Sequence, residues 1–450
     1  MMDNPLRRTV AFIAVAAALL AAGLPTHARA QISLIRDAEI ENTIRAYSAP
    51  LFQAAGLNPN DVHIHLVNDQ TLNAFVAGGQ RLFINTGLIL ESKHAGQLIG
   101  VIAHETGHIA GGHLARIDEQ LRSSSAQQIL AMILGAAAAV GTGRGDVGAA
   151  VIAGGTTTGL RTLMSYSRTQ ESAADQAAMT FLDRTGQSAR GLLEFMEILR
   201  RQELLSISRQ DPYLRSHPLS SERVTILENF VANSPNSNKP LPENFAVSYA
   251  RMKAKLLAYV YPLGHTLNAY PETDTSLPAR YARAVGYYRA ANLAKALPIV
   301  DGLIAENPND PYFHELKGQM LFENQRGAES LAPYREALRL LPKSAILHAD
   351  FGRVLIEQND PALLNDAIEH LRTALRSEPM SPFTWRQLAI AYGRSGDTPN
   401  SSLALAEEAI LLGKAPEARY HAGRAEKLFP RGSPGWLKAQ DILEAARIKK

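Results

Sequence analysis

The C-terminal part of this chain is written to a fixed period. Pro308 and Pro342 stand 34 residues apart, and Gly318 and Gly352 keep the same offset. Pro379 follows Pro342 after 37 residues, which leaves room for three extra residues around QNDPALLND (358–366). A recurring proline closes one helical segment, so the period predicts stacked helix pairs rather than one closed core. Small residues recur where the two helices of a pair must meet: Ala296, Ala337, Ala367 and Ala374.

Within that region WRQLAIAY (385–392) fits W-x2-L-[GA]-x2-Y, the signature of tetratricopeptide helix pairs. Lys317 and Arg280 depart from the pattern, which wants apolar or aromatic residues there. Residues 278–450 are therefore expected to form an α-solenoid of tetratricopeptide repeats, whose concave face docks a partner or substrate. NSPNSNKPLPEN (233–244) is a proline- and asparagine-rich break ahead of it. Residues 31–232 are expected to form a first domain, and 233–277 a linker with a connecting helix.

The first domain mixes helix and strand. DAEIENTIRAYSAPLFQAAGL (37–57) has helical spacing. VHIHLVND (62–69) alternates, with Val62, Ile64 and Leu66 on one face and His63 and His65 on the other, toward solvent. NAFVAGGQRLFINTGLIL (73–90) predicts strand, Gly-Gly turn, strand and the start of a helix. The expected class is mainly α with one small antiparallel sheet before a long helix.

That helix carries VIAHETGHIAGGH (101–113). His104 and His108 are four residues apart, so both imidazoles lie on one helix face and can share one ion. Glu105 sits at the rim of that face, placed to act as a base without being a ligand. Two histidines do not complete a zinc site. The metzincin spacing wants a third histidine at position 114, where this chain has Leu114. His113, on a continuing helix, points about 140° from His108 at ~100° per residue. Acidic residues downstream offer a better third ligand. In RTQESAADQAAMTFLDRTG (168–186), Glu171 and Asp175 share a helix face: one can complete a His₂Glu set, the other can accept the N–H of a ligating histidine. In LRSHPLSSERV (214–224), His217 is placed either to hydrogen-bond an oxyanion or to fill the open metal position and silence it. Arg223 supports the glutamates or the substrate.

Composition narrows the setting. Net charge is +3, of which Arg7, Arg8 and Arg29 against Asp3 contribute +2, so no nucleic-acid surface is expected. Arg7-Arg8, the apolar run 9–24 and ARA (28–30) predict a secretory signal over residues 1–30, cut before Gln31. With no cysteine, an exported chain suggests the bacterial periplasm, and no transmembrane span is expected in the mature protein. The run from 126 to 164, richest in glycine and alanine over 135–159, predicts two closely packed helices, a mobile flap or, third, contact with a membrane surface.

HETGH, ESAAD (171–175) and SHP…R (216–223), behind a signal peptide, resemble peptidase family M48, as does the strand segment before the motif. The resemblance implies a zincin-like metalloprotease domain with one Zn²⁺ per chain. It implies His104, His108 and Glu171 as ligands, Glu105 as base, Asp175 behind the ligands and His217 in the site. It further implies a periplasmic zinc endopeptidase in outer-membrane protein quality control, degrading misassembled envelope proteins and assisting their assembly. The β-barrel assembly machinery is then an expected partner through the repeats. An extended substrate is expected to pair with the strand at 81–85. A second class stays open: a repeat-based chaperone or adaptor with a latent or structural metal. A membrane-embedded prenyl-protein protease shares these motifs but needs several spanning helices, and the sequence offers none.

Overall fold

The computed structural model describes residues 33–113, 157–202 and 210–448. The expected signal, and the alanine- and glycine-rich run apart from its last residues, lie outside them. Helix α1 (Ala38–Ala54) opens on Asp37, whose carboxylate accepts from the Ile40 amide at 2.9 Å. Ile40, Ile44, Tyr47 and Leu51 form its buried stripe.

The sheet has the order β1-β2-β4-β3, with β1 (Leu34–Ile35), β2 (His63–Val67), β3 (Ala74–Ala77) and β4 (Arg81–Asn85). β3 and β4 make the expected antiparallel hairpin, with Phe75 opposite Phe83. β2, however, runs parallel to β4, with His65 opposite Phe83. The sheet is thus mixed, not antiparallel as the sequence suggested. Alternation tells which face a strand buries but not which strand lies beside it. Here the chain leaves β2, crosses to the outer position as β3, and returns between them as β4. Asp69 pins the crossover: its carbonyl accepts from the Gly87 amide at 2.9 Å and the Thr86 hydroxyl at 2.7 Å. Because β4 is paired on both sides, residues 81–85 are not the strand that can take up an extended segment. On that side the sheet ends at β3. The faces fall as expected: Val62, Ile64 and Leu66 are buried, His63 is exposed, and His65 stacks on Phe83 in the outer layer.

After β4 come α2 (Thr86–Glu91) and α3 (Ala95–Ala110), which carries the histidine motif. α3 is buried along nearly its whole length, under α4 (Thr157–Arg184) and α5 (Arg190–Gln202). The short α6 (Pro212–Ser216) and then α7 (Ser221–Asn233) follow. α7 is capped by Ser220, which accepts from the Arg223 amide.

Helix α8 (Glu243–Val260) lies in the stretch expected to link the two halves, and it belongs to the cores of both. On one face Tyr249, Met252 and Leu256 join the core of the first domain, and the Tyr249 hydroxyl donates to the Ile89 and Ser92 carbonyls. On the other face Ala254 and Ala258 pack with Tyr281, Ala282 and Val285 of the repeats.

The short α9 (Leu263–Ala269) leads into five successive helix pairs: 277–289 with 293–306, 311–323 with 327–340, 345–357 with 364–377, 382–394 with 398–411, and 415–428 with 434–448. Pro308, Pro342 and Pro379 all fall in the turns between pairs, as the period predicts. Ala296, Ala337, Ala367 and Ala374 are buried at the seams. A methyl at Gly318 would meet the Tyr334 ring at 2.7 Å, so that position is fixed by close helix approach. The two departures are surface pairs: Arg280 meets Glu306 at 2.6 Å and Lys317 meets Asp301 at 2.7 Å.

The start of α1 is held by the repeats. Ala38 sits in the repeat core with Tyr334 and Phe351. Below it, Lys255 of α8 is buried between Asp37 at 2.7 Å and Glu39 at 3.3 Å. Glu39 also meets Arg251 at 2.8 Å and the Tyr281 hydroxyl at 2.6 Å, and Arg251 pairs with Asp310.

Candidate metal centre

The centre is built where α3 and α4 cross. A methyl on Gly107 would lie 2.7 Å from the Ala174 carbonyl oxygen, so a side chain there would force the helices apart. The close crossing brings Glu171 and Asp175 of α4 against His104 and His108 of α3. Between His104 Nε2 and Glu171 Oε2 the distance is 3.4 Å, and between His108 Nε2 and Glu171 Oε1 it is 3.3 Å. His217, just past α6, reaches Glu171 Oε1 with Nδ1 at 3.1 Å. One donor atom from each of His104, His108, Glu171 and His217 lies within 4.8 Å of the other three. Among the described residues this is the group able to hold a metal, and His63 and His65 are not part of it.

The donors fit a divalent cation of zinc's kind, which takes imidazole nitrogen and carboxylate oxygen in a compact set. His104 Nε2 and His108 Nε2 are 3.1 Å apart. Two ring nitrogens that close need a proton or a cation between them. Glu105 is buried beside them, with Oε1 3.5 Å from His217 Nε2 and no hydrogen-bond partner. Such an oxygen is costly unless something else occupies the site.

The shell behind the donors is also in place. His104 Nδ1–H donates to Asp175 Oδ1 at 2.8 Å, which leaves Nε2 free to face the centre. Arg223 grips Asp175 through Nε at 2.6 Å and through Nη2 at 2.9 Å. Its Nη1 donates to the Pro218 carbonyl at 2.7 Å, tying the segment that carries His217 to the same anchor.

Electrostatics follow from this packing. Burial opposes a charge on His104, but its hydrogen bonds to Asp175 and Glu171 outweigh that and hold its pKa at about 10. Burial also favours the neutral form of Glu171, yet the three imidazoles hold its pKa far below the usual carboxylate range. Burial pushes His108 down, with nearby His104 adding to the effect. A cation taken up here competes with protons for the same lone pairs.

All seven residues singled out from the sequence, His104, Glu105, His108, Glu171, Asp175, His217 and Arg223, converge here. Two further residues were not foreseen in their roles. Tyr213 stacks on His217, with ring centroids 4.3 Å apart. The four-residue spacing in PYLRSH was its signal. His113 is not among the grouped donors, but neither does it point away as expected on a continuing helix. α3 stops at Ala110, and His113 Nδ1 comes within 2.9 Å of His108 Nδ1.

Residues 35–231 match the model of peptidase family M48. The "Beta-barrel assembly-enhancing protease" of Yersinia pestis is 25% identical over 402 residues, covering 87% of this chain and 80% of the relative. The protein of that name in Escherichia coli K12 is 24% identical over 423 residues, covering 88% of this chain and 84% of the other. A shorter relative, "Metalloprotease YcaL" of E. coli K12, is 27% identical over 191 residues, covering 41% of this chain and 69% of the relative. Over residues 35–231, this chain is thus similar to peptidase family M48.

Proposed function

We propose that the chain is a periplasmic zinc endopeptidase that hydrolyses misassembled envelope proteins and assists their assembly. One observation carries the reading: three imidazoles and a carboxylate converge within 4.8 Å, with the buried, unpartnered oxygen of Glu105 beside them. His104, His108 and Glu171 would hold the zinc. Bound there, zinc supplies a Lewis acid that acidifies water and polarises a peptide carbonyl. Glu105 takes the proton from the attacking water and returns it to the leaving amine. Asp175 keeps the proton of His104 on Nδ1, and Arg223 keeps Asp175 in place. Substrate backbone would pair with the edge of β3, whose hydrogen bonds are indifferent to sequence. The names of the long relatives support an envelope role, and the basic, apolar start of the chain supports export. No helix among the described residues is long and apolar enough to cross a membrane. A contact with the β-barrel assembly machinery through the repeats belongs to the same proposal.

His217 favours a second reading of the resting state. It supplies the fourth donor, and four protein donors close a zinc site that catalysis needs open. On this reading the repeats do the work as an adaptor, and the metal is latent until His217 withdraws. Cleavage of a disordered test protein separates the two. Glu105→Gln should keep zinc and lose cleavage by about 10²–10⁴-fold. Wild-type rates in that variant would refute Glu105 as the base. Cleavage by His217→Ala but not by the wild type, with zinc present, would favour the latent site; absence of cleavage by both would leave the repeats as an adaptor with a structural metal.

A further inference from the structure

We infer that His113 is a positioning residue for the metal centre: it accepts the proton of His108 Nδ1 and so aims His108 Nε2 at the ion. This rests on the zinc reading of His104, His108 and Glu171. The two Nδ1 atoms lie 2.9 Å apart, and a hydrogen bond between two ring nitrogens carries one proton. His108 Nε2 faces Glu171 and His104 Nε2, so that nitrogen must give its lone pair to the cation. Its proton is then on Nδ1, and His113 is the acceptor. His113 thus does for His108 what Asp175 does for His104, with a neutral ring in place of a carboxylate.

The local sequence is built for this contact. α3 ends at Ala110, and Gly112 takes φ +60°, folding the chain back over the last turn. His113 is thereby buried beside His108, its ring 5.0 Å from the other, edge to face. Gly111 leaves the space: a methyl there would fall 2.4 Å from His113 Nε2. The GGH that follows HETGHIA is thus a turn that returns a third histidine behind the second.

Leucine and asparagine at position 113 have nearly the same shape, and only asparagine keeps an acceptor near the place of Nδ1. Zinc affinity of the full chain, by competition with a chromophoric chelator, should fall about 10–100-fold in His113→Leu and stay within about threefold in His113→Asn. Gly111→Ala, which removes no polar group, should weaken zinc as His113→Leu does and add nothing on top of it. The melting temperature of the metal-stripped variants reports whether they fold. If His113→Leu does not fold, Gly111→Ala alone decides. Wild-type affinity in the folded weakening variants overturns the assignment, and so does equal weakening by leucine and asparagine. Wild-type protein that takes up no zinc defeats the metallopeptidase reading along with it, an outcome visible before any variant is made.

Discussion

Two buried polar clusters in this molecule look alike by composition and differ in what they lack. At the junction of the halves, acids meet fixed cations. Both oxygens of Glu39 are answered, one by Arg251, the other by Lys255 and the Tyr281 hydroxyl. At the candidate metal centre, acids meet imidazoles, and the imidazoles meet one another. The first cluster is held by its own charges. The second places lone pairs face to face and leaves Glu105 Oε1 without a donor. Burial alone therefore does not mark a functional site. What marks it is a surplus of acceptors around a common point.

That contrast can be broken by removing one partner at each place. The largest effect on folding is expected at the junction. Lys255→Met removes the buried ammonium that Asp37 and Glu39 share and should cost about 3–5 kcal/mol in denaturant unfolding. It should leave zinc affinity within about twofold, because the clusters are not in contact. A loss of stability too small to detect would mean that the junction is not held by its charges. A smaller effect, read on the metal rather than on folding, is expected from Asp175→Asn. Zinc affinity should weaken about 10–100-fold, or about 1.4–2.7 kcal/mol, by chelator competition. Unchanged affinity would show that Asp175 does not tune His104. The smallest concerns the exposed pair on the repeats. Arg280→Ala should leave the denaturation midpoint unchanged, since pairs in water gain little. A measurable drop there would erase the line between buried and surface charge that the other two experiments draw.

The site was legible because its parts are local. HETGH fixes two imidazoles by helix geometry, and Glu171 with Asp175 repeats the trick one helix later. The repeats were legible because a period is a property of the sequence itself. What escaped was non-local. No pattern in residues 62–85 says that β4 inserts between β2 and β3, because each strand's alternation is satisfied by either neighbour. The break at 233–244 drew attention to a boundary, yet the helix after it was not legible as part of two cores. His113 was misplaced for a different reason. The helix was extended past glycines that end it, and the turn they make reverses the ring's direction. The flap or helix pair expected over 135–159 lies outside the described residues, apart from the start of α4.

The double membership of α8 has a practical meaning for anyone who would divide this protein. A fragment stopping near residue 232 would strip Tyr249, Met252 and Leu256 from the first half and bare the surface they seal. A fragment starting near 278 would uncover Tyr281 and Val285 in the same way. The seam legible in the sequence is not a seam in the solid: the two halves share a wall, and neither can be lifted out without leaving a hole in both.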